Sequence, residues 1–376
     1  MKDKKSIILY KSLMHYVKDT NHLSEVCSKL NKSKFLAIDT EFIREKTYWP
    51  KLCLIQVFNG EDKIIIDPLV KGLDLKPFFK ILSNNEIVKI FHSGRQDIEI
   101  FYNLTKKIPK NIYDTQIAAM VCGFGDSIGY ENLVSQLLGK KIDKTSRLTN
   151  WSNRPLSKKQ INYAISDVTH LYEIYPLIRD KIISNKRESW LKEEIKILIS
   201  KKTYNLNPDE SWKRLKYRNL NKNSIGILIE LAKWREVKAQ EKDVPRGNII
   251  RDDAIYELCS AQPKNRDDLN NLRSFNRKGS LRKEFTEEII KIIDKGKSIK
   301  KEKLPKIKPL KRLPTGISSK VSILKILLDN ISEEYGVAQK LIANKNDLQE
   351  LVLDDQADIK TLKAVSYTHL TLPTKA

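Results

Sequence analysis

Apolar and polar positions change period several times along the N-terminal half of the chain. Phe35-Leu36-Ala37-Ile38 is a short apolar run leading into Asp39-Thr40-Glu41, the pattern of a buried strand that ends among polar groups. Ser6–Tyr10 predicts an earlier strand. The spacing of Leu13, Met14, Val17, Leu23, Val26 and Leu30 predicts a helix over 11–30. Leu52–Phe58 predicts another strand, Asn59-Gly60 a hairpin turn, and Lys63–Asp67 the strand that pairs back. Leu75–Leu82 has helical spacing. Ile87–Phe91 reads as a strand that gives way at His92-Ser93-Gly94 to a helix carrying Asp97. Asp114–Val121, Tyr130–Leu138 and a long stretch from Ser157 to about Ile183 read as helices. A mixed sheet covered by helices is an α/β arrangement.

Tyr204–Asp209 is a break, and no strand pattern follows it. Ser211–Leu220, Asn223–Lys242, Asp252–Ala261, Asn265–Asn270 and Arg282–Ile293 predict a group of helices. Asp294–Arg312 carries nine basic and two acidic residues with Pro305 and Pro309, which is the composition of a solvated linker. Apolar periodicity returns at Ser318 and lasts to about Lys363, interrupted by Gly336. The expected organisation is therefore an α/β domain over 1–204, a helical domain over 208–293, a basic linker over 294–317 and a second small helical domain over 318–363. Val365–Thr374 (VSYTHLTLPT) resembles the translation of a sequencing-library adapter, so 365–376 is expected to be a non-native terminal scar.

With 376 residues, 40% of them hydrophobic, the chain has material for two or three cores. Its 70 basic against 47 acidic residues give a net charge of +23. Part of the lysine excess fits an AT-rich genome, but the charge favours a polyanionic partner, nucleic acid first and a membrane surface second. No apolar run approaches the ~20 residues of a membrane span, and the charged start is not followed by a secretion segment. Cys27, Cys53, Cys122 and Cys259 are scattered, which argues for reduced thiols in the cytoplasm and against a zinc or disulfide framework. Nothing reads as a coiled coil, and a monomer is expected.

The acids carry the chemistry. Asp39 and Glu41 alternate along one strand and so share a face. Two carboxylates side by side repel unless something positive lies between them, and a divalent cation is the simplest such partner. The plainer alternative is that one caps a turn and the other is solvated. Asp97 begins a helix, where the dipole alone favours an acid. Tyr163 and Asp167 are four apart on one helix face. Asp167 lies between Ile165 and Val168, where simple solvation fits poorly, whereas Tyr163 alone would read as a packed aromatic. His92 reads as a packing residue at a strand end, and Trp234 as core. Four carboxylates without a His or Cys cluster make a hard oxygen site, suited to Mg²⁺ or Mn²⁺.

Asp-x-Glu on a strand, Asp on a helix, then Tyr-x-x-x-Asp on a later helix is an order that resembles the DEDDy group of 3′-to-5′ exonucleases. The surrounding segments FLAIDTEFIREKTYWPKLCLIQV, FHSGRQDIEIF, YDTQIAAMVCGFGDSIGYENLV and WSNRPLSKKQINYAISDVTHLYEIY resemble the ribonuclease D family in particular. ELAKWREVKAQEKDVPRGNIIRDDAIYEL resembles the helical HRDC module, and YGVAQKLIANKNDLQEL a more divergent second copy. The resemblance implies an RNase H-like exonuclease domain with a mixed sheet, followed by one or two all-α HRDC-type domains. It implies catalytic residues Asp39, Glu41, Asp97, Tyr163 and Asp167, with the four acids holding two divalent ions (Mg²⁺ or Mn²⁺). Tyr163 would align the attacking water and assist in removing its proton. RNA would be trimmed from the 3′ end to nucleoside 5′-monophosphates, with precursor transfer RNA the implied substrate. Arg95, Gln96, Arg154, Lys233, Arg235, Lys238, Arg246 and Arg251 are candidate nucleic-acid contacts, each against the alternative of a solvated charge, and Arg154 against that of a loop anchor. A proofreading-type DNA exonuclease shares the same five residues. A non-catalytic RNA-binding protein on this scaffold and a charge-driven membrane-surface binder are the other readings.

Overall fold

Strand β2 is where the sequence pattern and the architecture meet, and the sheet is built outward from it. The computed structural model describes residues 13–143, 145–217, 220–275, 284–305, 314 and 316–353. They fall into two compact units, the first within Met1–Ile43, Leu52–Lys201 and Leu313–Ala376, the second within Arg44–Lys51 and Lys202–Arg312.

In chain order the first unit begins with β1 (Met14–Val17), α1 (Thr20–Leu30), β2 (Phe35–Ile43), β3 (Lys51–Phe58) and β4 (Lys63–Ile66). It continues with α2 (Lys76–Ser83), β5 (Val88–Phe91), α3 (Arg95–Thr105), β6 (Ile112–Asp114), α4 (Thr115–Val121), α5 (Tyr130–Leu138), α6 (Lys158–Ser184) and α7 (Glu188–Leu198). The sheet order is β1-β4-β3-β2-β5-β6. β4 returns antiparallel to β3 from the Asn59-Gly60 turn. β2, β5 and β6 run parallel, as do β1 and β4, so the sheet is mixed as expected.

The helix expected over 11–30 is corrected at its start. Asp19 is extended, and its side chain accepts the His22 amide, which fixes the helix N-terminus at Thr20. Met14–Val17 is thereby left to pair with Lys63–Ile66. The strand expected at Ser6–Tyr10 lies outside the described residues. The three-residue β6 was not expected; Ile112–Asp114 is too short to show a period. Ala37 and Ile90 of the sheet pack with Ala118, Leu133, Val168, Leu171 and Ile178 of α4, α5 and α6 in one core. Burying each large aliphatic side chain contributes about 1.5–3 kcal/mol, and this core holds α6 against β2.

The second unit is helical. After α8 (Lys201–Tyr204) come a 3-10 turn over Pro208–Arg214, α9 (Lys222–Glu241), α10 (Arg246–Ile249), α11 (Asp252–Ala261), α12 (Arg266–Asn270) and α13 (Thr286–Lys297). The helix expected over Ser211–Leu220 is the 3-10 turn instead, stopped by extended Leu215. Leu228, Leu231, Ala232, Ile255, Leu258, Ile289 and Ile293 form its core. A Cβ on Gly296 would lie 2.5 Å from the Ile227 Cα, and one on Gly226 2.3 Å from the Gly296 carbonyl oxygen. Two glycines thus let α9 and α13 touch backbone to backbone. Tyr48 belongs to this unit; its ring is 3% exposed, its hydroxyl donates to Glu236 and accepts from Arg246, and its amide donates to Asp243.

The last described helices, α14 (Ile317–Tyr335) and α15 (Lys345–Leu353), are counted with the first unit. The sequence reading made 318–363 a domain of its own, and α14 and α15 do pack on each other through Leu328, Ala343 and Leu348. The connection between them, however, joins the large core of the first unit through Val337, Ala338 and Leu341. The Ala338 amide donates to the Met120 carbonyl at 3.0 Å. Arg187 spans the junction, donating to the carbonyls of Val121 (2.9 Å), Gly336 (2.7 Å) and Tyr335. The expected scar at 365–376 lies outside the described residues.

Candidate active site

Strand alternation puts Asp39 and Glu41 on one face of β2, and helical periodicity puts Tyr163 and Asp167 on one face of α6. The shared core that packs α6 on β2 makes these faces meet. Carboxylate oxygens of Asp39, Glu41 and Asp167 all lie within 4.8 Å of one another. Asp97, in the first turn of α3, lies in the same cleft, pinned to β2 by the Thr40 hydroxyl, which donates to its Oδ1 at 2.5 Å. The cleft has a volume of about 480 Å³, and its lining includes Asp39, Asp97, Tyr163 and Asp167. All five residues predicted to act together are therefore in one place.

Asp114 shapes the turn that delivers Asp97. Its carboxylate accepts the backbone amides of Ser93, Gly94, Gln116 and Ile117 at 2.8–3.2 Å. That holds Ser93 at φ +57° and seats the start of α3. Gly94 is needed there because a Cβ would come within 2.6 Å of the Phe91 Cβ. The sequence shows Asp114 only as the start of α4; its second task, across the β5–α3 turn, is invisible in local pattern. Ser157 and Gln160 form a capping box that starts α6 and sets the phase of Tyr163 and Asp167.

The electrostatics are those of a site built for cations. Burial first, then the charges of Asp97, Asp167 and Glu41, push the Asp39 carboxyl well above its ordinary range. Burial followed by Asp167 and Asp97 pushes Glu41 up to about 9, with Arg147 opposing. Burial pushes Asp97 up to about 6 against the Thr40 hydrogen bond, and Asp167 up to about 7 against the Tyr163 hydrogen bond and Arg147. Asp167 Oδ1 is buried without a hydrogen-bond partner. An orphaned carboxylate oxygen among mutually repelling acids fits hard divalent ions, because positive charge there removes both penalties. Burial, then Asp167 and Glu41, raises the Tyr163 phenol, so it remains a protonated donor. His92 lines the cleft as a packed neutral ring, bonded to the Thr115 hydroxyl at 3.0 Å and held down to about 4 by burial.

The basic candidates separate sharply. Arg95 and Gln96 are exposed at the start of α3, and Gln96 lines the cleft. Arg154 is turned inward: Nε and Nη2 clasp Asp67 at 2.6 and 2.7 Å, and the remaining bonds go to the carbonyls of Cys53, Trp151 and Asn153. It anchors the loop before α6, the alternative reading. Arg235 is 5% exposed and pairs with Asp252 at 2.5 Å. Arg246 is taken up by Glu236 and Tyr48. Each guanidinium neutralises an acid within its own unit; Arg235 is buried in doing so, whereas Arg246 keeps part of its side chain exposed. Lys233 pairs with Asp209 and Lys238 with Glu288 near the surface, while Arg251 is exposed just ahead of α11. Trp234 donates its indole N–H to Glu288 at 2.7 Å and packs edge-on against Phe285. Arg147, which lines the acid cleft, was missed, since one arginine in a polar turn carries no pattern.

A family model described as a 3′-5′ exonuclease matches residues 14–183, and an HRDC domain model matches residues 225–293. The chain is 41% identical to a ribonuclease D of Bartonella henselae over 342 residues, covering 91% of this chain and 84% of that one. It is 39% identical to a ribonuclease D of Nitrobacter hamburgensis over 350 residues, covering 93% and 91%. The crystal structure of Escherichia coli RNase D, described as an exoribonuclease involved in structured RNA processing, superposes with a TM-score of 0.79 at 27% identity, covering 90% of each chain.

Proposed function

We propose a detailed reading from one premise: this chain belongs to the ribonuclease D family, and it is a 3′-to-5′ exoribonuclease. The finer reading is that it trims RNA 3′ ends by two-ion hydrolysis, releases nucleoside 5′-monophosphates and matures precursor transfer RNA. The observation that carries it is the convergence of Asp39, Glu41 and Asp167 within 4.8 Å, in the same cleft as Asp97 and Tyr163.

Asp39, Glu41, Asp97 and Asp167 would hold the ions, with magnesium or manganese favoured by an all-oxygen donor set. When bound, such a pair supplies Lewis acidity at the attacking water and at the departing 3′ oxygen. The chain's own groups do the positioning. Thr40 fixes Asp97, and Asp114 fixes the turn that presents it. Tyr163, bonded to Asp167, would hold the attacking water in line and assist in removing its proton. The cytoplasm is its compartment in this reading, supported by four free and buried cysteines, and it acts as a monomer. No helix among the described residues is long and apolar enough to cross a membrane.

The test is a gel assay of 5′-labelled precursor transfer RNA and a matching DNA strand, with Mg²⁺, with Mn²⁺ and with chelator, beside Asp39→Ala. The expected result is a metal-dependent ladder shortening from the RNA 3′ end and absent in the variant. Equal cleavage of the DNA strand would turn the reading toward a proofreading-type enzyme. Intact RNA in every lane, with folded protein, would refute the catalytic reading.

A further inference from the structure

We propose that Arg147 is the phosphate-gripping residue of the acid cleft, holding a non-bridging oxygen of the phosphodiester that is cut. The assignment rests on the exoribonuclease reading. Among the described residues that line the cleft, Arg147 is the one side chain with a permanent positive charge; the rest are acids, neutral polar groups, aromatics and aliphatics. A substrate backbone brings negative charge to a surface already rich in carboxylates. Ions held by the acids would offset the carboxylate charge, and a phosphodiester brings two non-bridging oxygens to be met. A guanidinium offers a planar fork that matches phosphate.

Its position suits the task. The charge of Arg147 acts on Glu41 and Asp167, the acids on the side of the cleft where Tyr163 lies. The side chain is exposed, and among the described residues no ion pair claims it. That contrasts with Arg154 in the same loop, whose three nitrogens are all bonded to protein. The turn that carries Arg147 is also held firmly. Ser146 is 5% exposed, and its carbonyl accepts the Thr149 amide at 3.2 Å and hydroxyl at 2.7 Å. The Thr149 hydroxyl in turn accepts from Gln160 Nε2 at 3.2 Å, and Gln160 belongs to the capping box of α6. Arg147 is thus tied through three hydrogen bonds to the helix that presents Tyr163 and Asp167. A free cation on an anchored turn beside the acids is an arrangement for binding a phosphate rather than for holding the fold.

The experiment compares Arg147→Gln and Arg147→Lys with the wild type on single-stranded RNA in Mg²⁺, measuring kcat and KM across a range of salt. Arg147→Gln should lose roughly 10- to 100-fold in kcat/KM and flatten the slope of log KM against log salt by about 0.7, one phosphate contact. Arg147→Lys should keep the slope and recover part of the rate. Arg147→Gln within about twofold of wild type, slope unchanged, overturns the assignment. So does a fall in kcat with an unchanged slope and no recovery by lysine, which is the signature of a merely structural turn residue. A wild type inert toward RNA overturns the exoribonuclease reading itself, and the assignment with it.

Discussion

Replacing Glu41 by glutamine should make the metal-free protein more stable while abolishing its activity. Glu41 is pushed from 4.5 to about 9 by burial, Asp167 and Asp97. A carboxyl whose folded-state value lies above its unfolded one contributes stability that is whole below the unfolded value and is lost as pH rises toward the folded value. For Glu41 that window runs from 4.5 to about 9. At pH 7 the chain has crossed the part of it above 4.5, a loss of about 3 kcal/mol. This is an upper figure, because Asp39 and Asp167 share the same repulsion and relax together. Glu41→Gln removes the titrating group, and for a unit of this size ~3 kcal/mol raises Tm by roughly 5–10 °C. The assay is calorimetry in chelator from pH 4 to pH 8, following the transition of the first unit as the one that added Mg²⁺ shifts. The melting curves should converge near pH 4.5 and separate as pH rises, and added Mg²⁺ should stabilise wild type far more than the variant. A metal-free wild type whose first-unit Tm does not fall between pH 5 and pH 8, or a variant no more stable than it at pH 8, would refute the reasoning that these acids are held together against their own charge.

Tyr163→Phe should lower kcat roughly 100-fold or more with an unchanged melting curve, because it removes only a hydroxyl bonded to Asp167; a small effect on steady-state rate would remove Tyr163 from the chemistry. Arg187→Ala strands the carbonyls of Val121, Tyr335 and Gly336, at a cost of about 1–3 kcal/mol, and limited proteolysis should then clip the α14–α15 segment first. Gly296→Ala should destabilise the helical unit by about 1–3 kcal/mol in a denaturant titration, because the new Cβ meets the Ile227 backbone; a neutral outcome would mean that α9 and α13 slide apart freely.

Much of the site could be read from the chain because periodicity carries it. Strand alternation places Asp39 with Glu41, and helix periodicity places Tyr163 with Asp167. What periodicity cannot show is which partner a charge finds. Arg154, Arg235 and Arg246 look like solvated surface cations in sequence, yet Asp67, Asp252 and Glu236 each claim one of them. Those partners lie 10 to 87 positions away, and no helix or strand period links them. Arg147 is the reverse case, an unremarked residue brought to the acids by a pinned turn. Met14–Val17 was misread because four residues fit a helical or an extended period equally well, and only the Asp19 cap and the β4 edge decide. The closure of α14 and α15 on the first core depends on Val337, Ala338 and Leu341, short apolar residues that resemble any loop.

The way Val337–Leu341 completes the first core also governs the protein's manufacture. A ribosome emits that core in two instalments, with the whole helical unit between them. At about 5–20 residues per second, the nascent nuclease waits several seconds with the apolar ground around Met120 and Val121 uncovered. During that interval this apolar ground faces water, and a message broken upstream of Val337 would leave it so permanently.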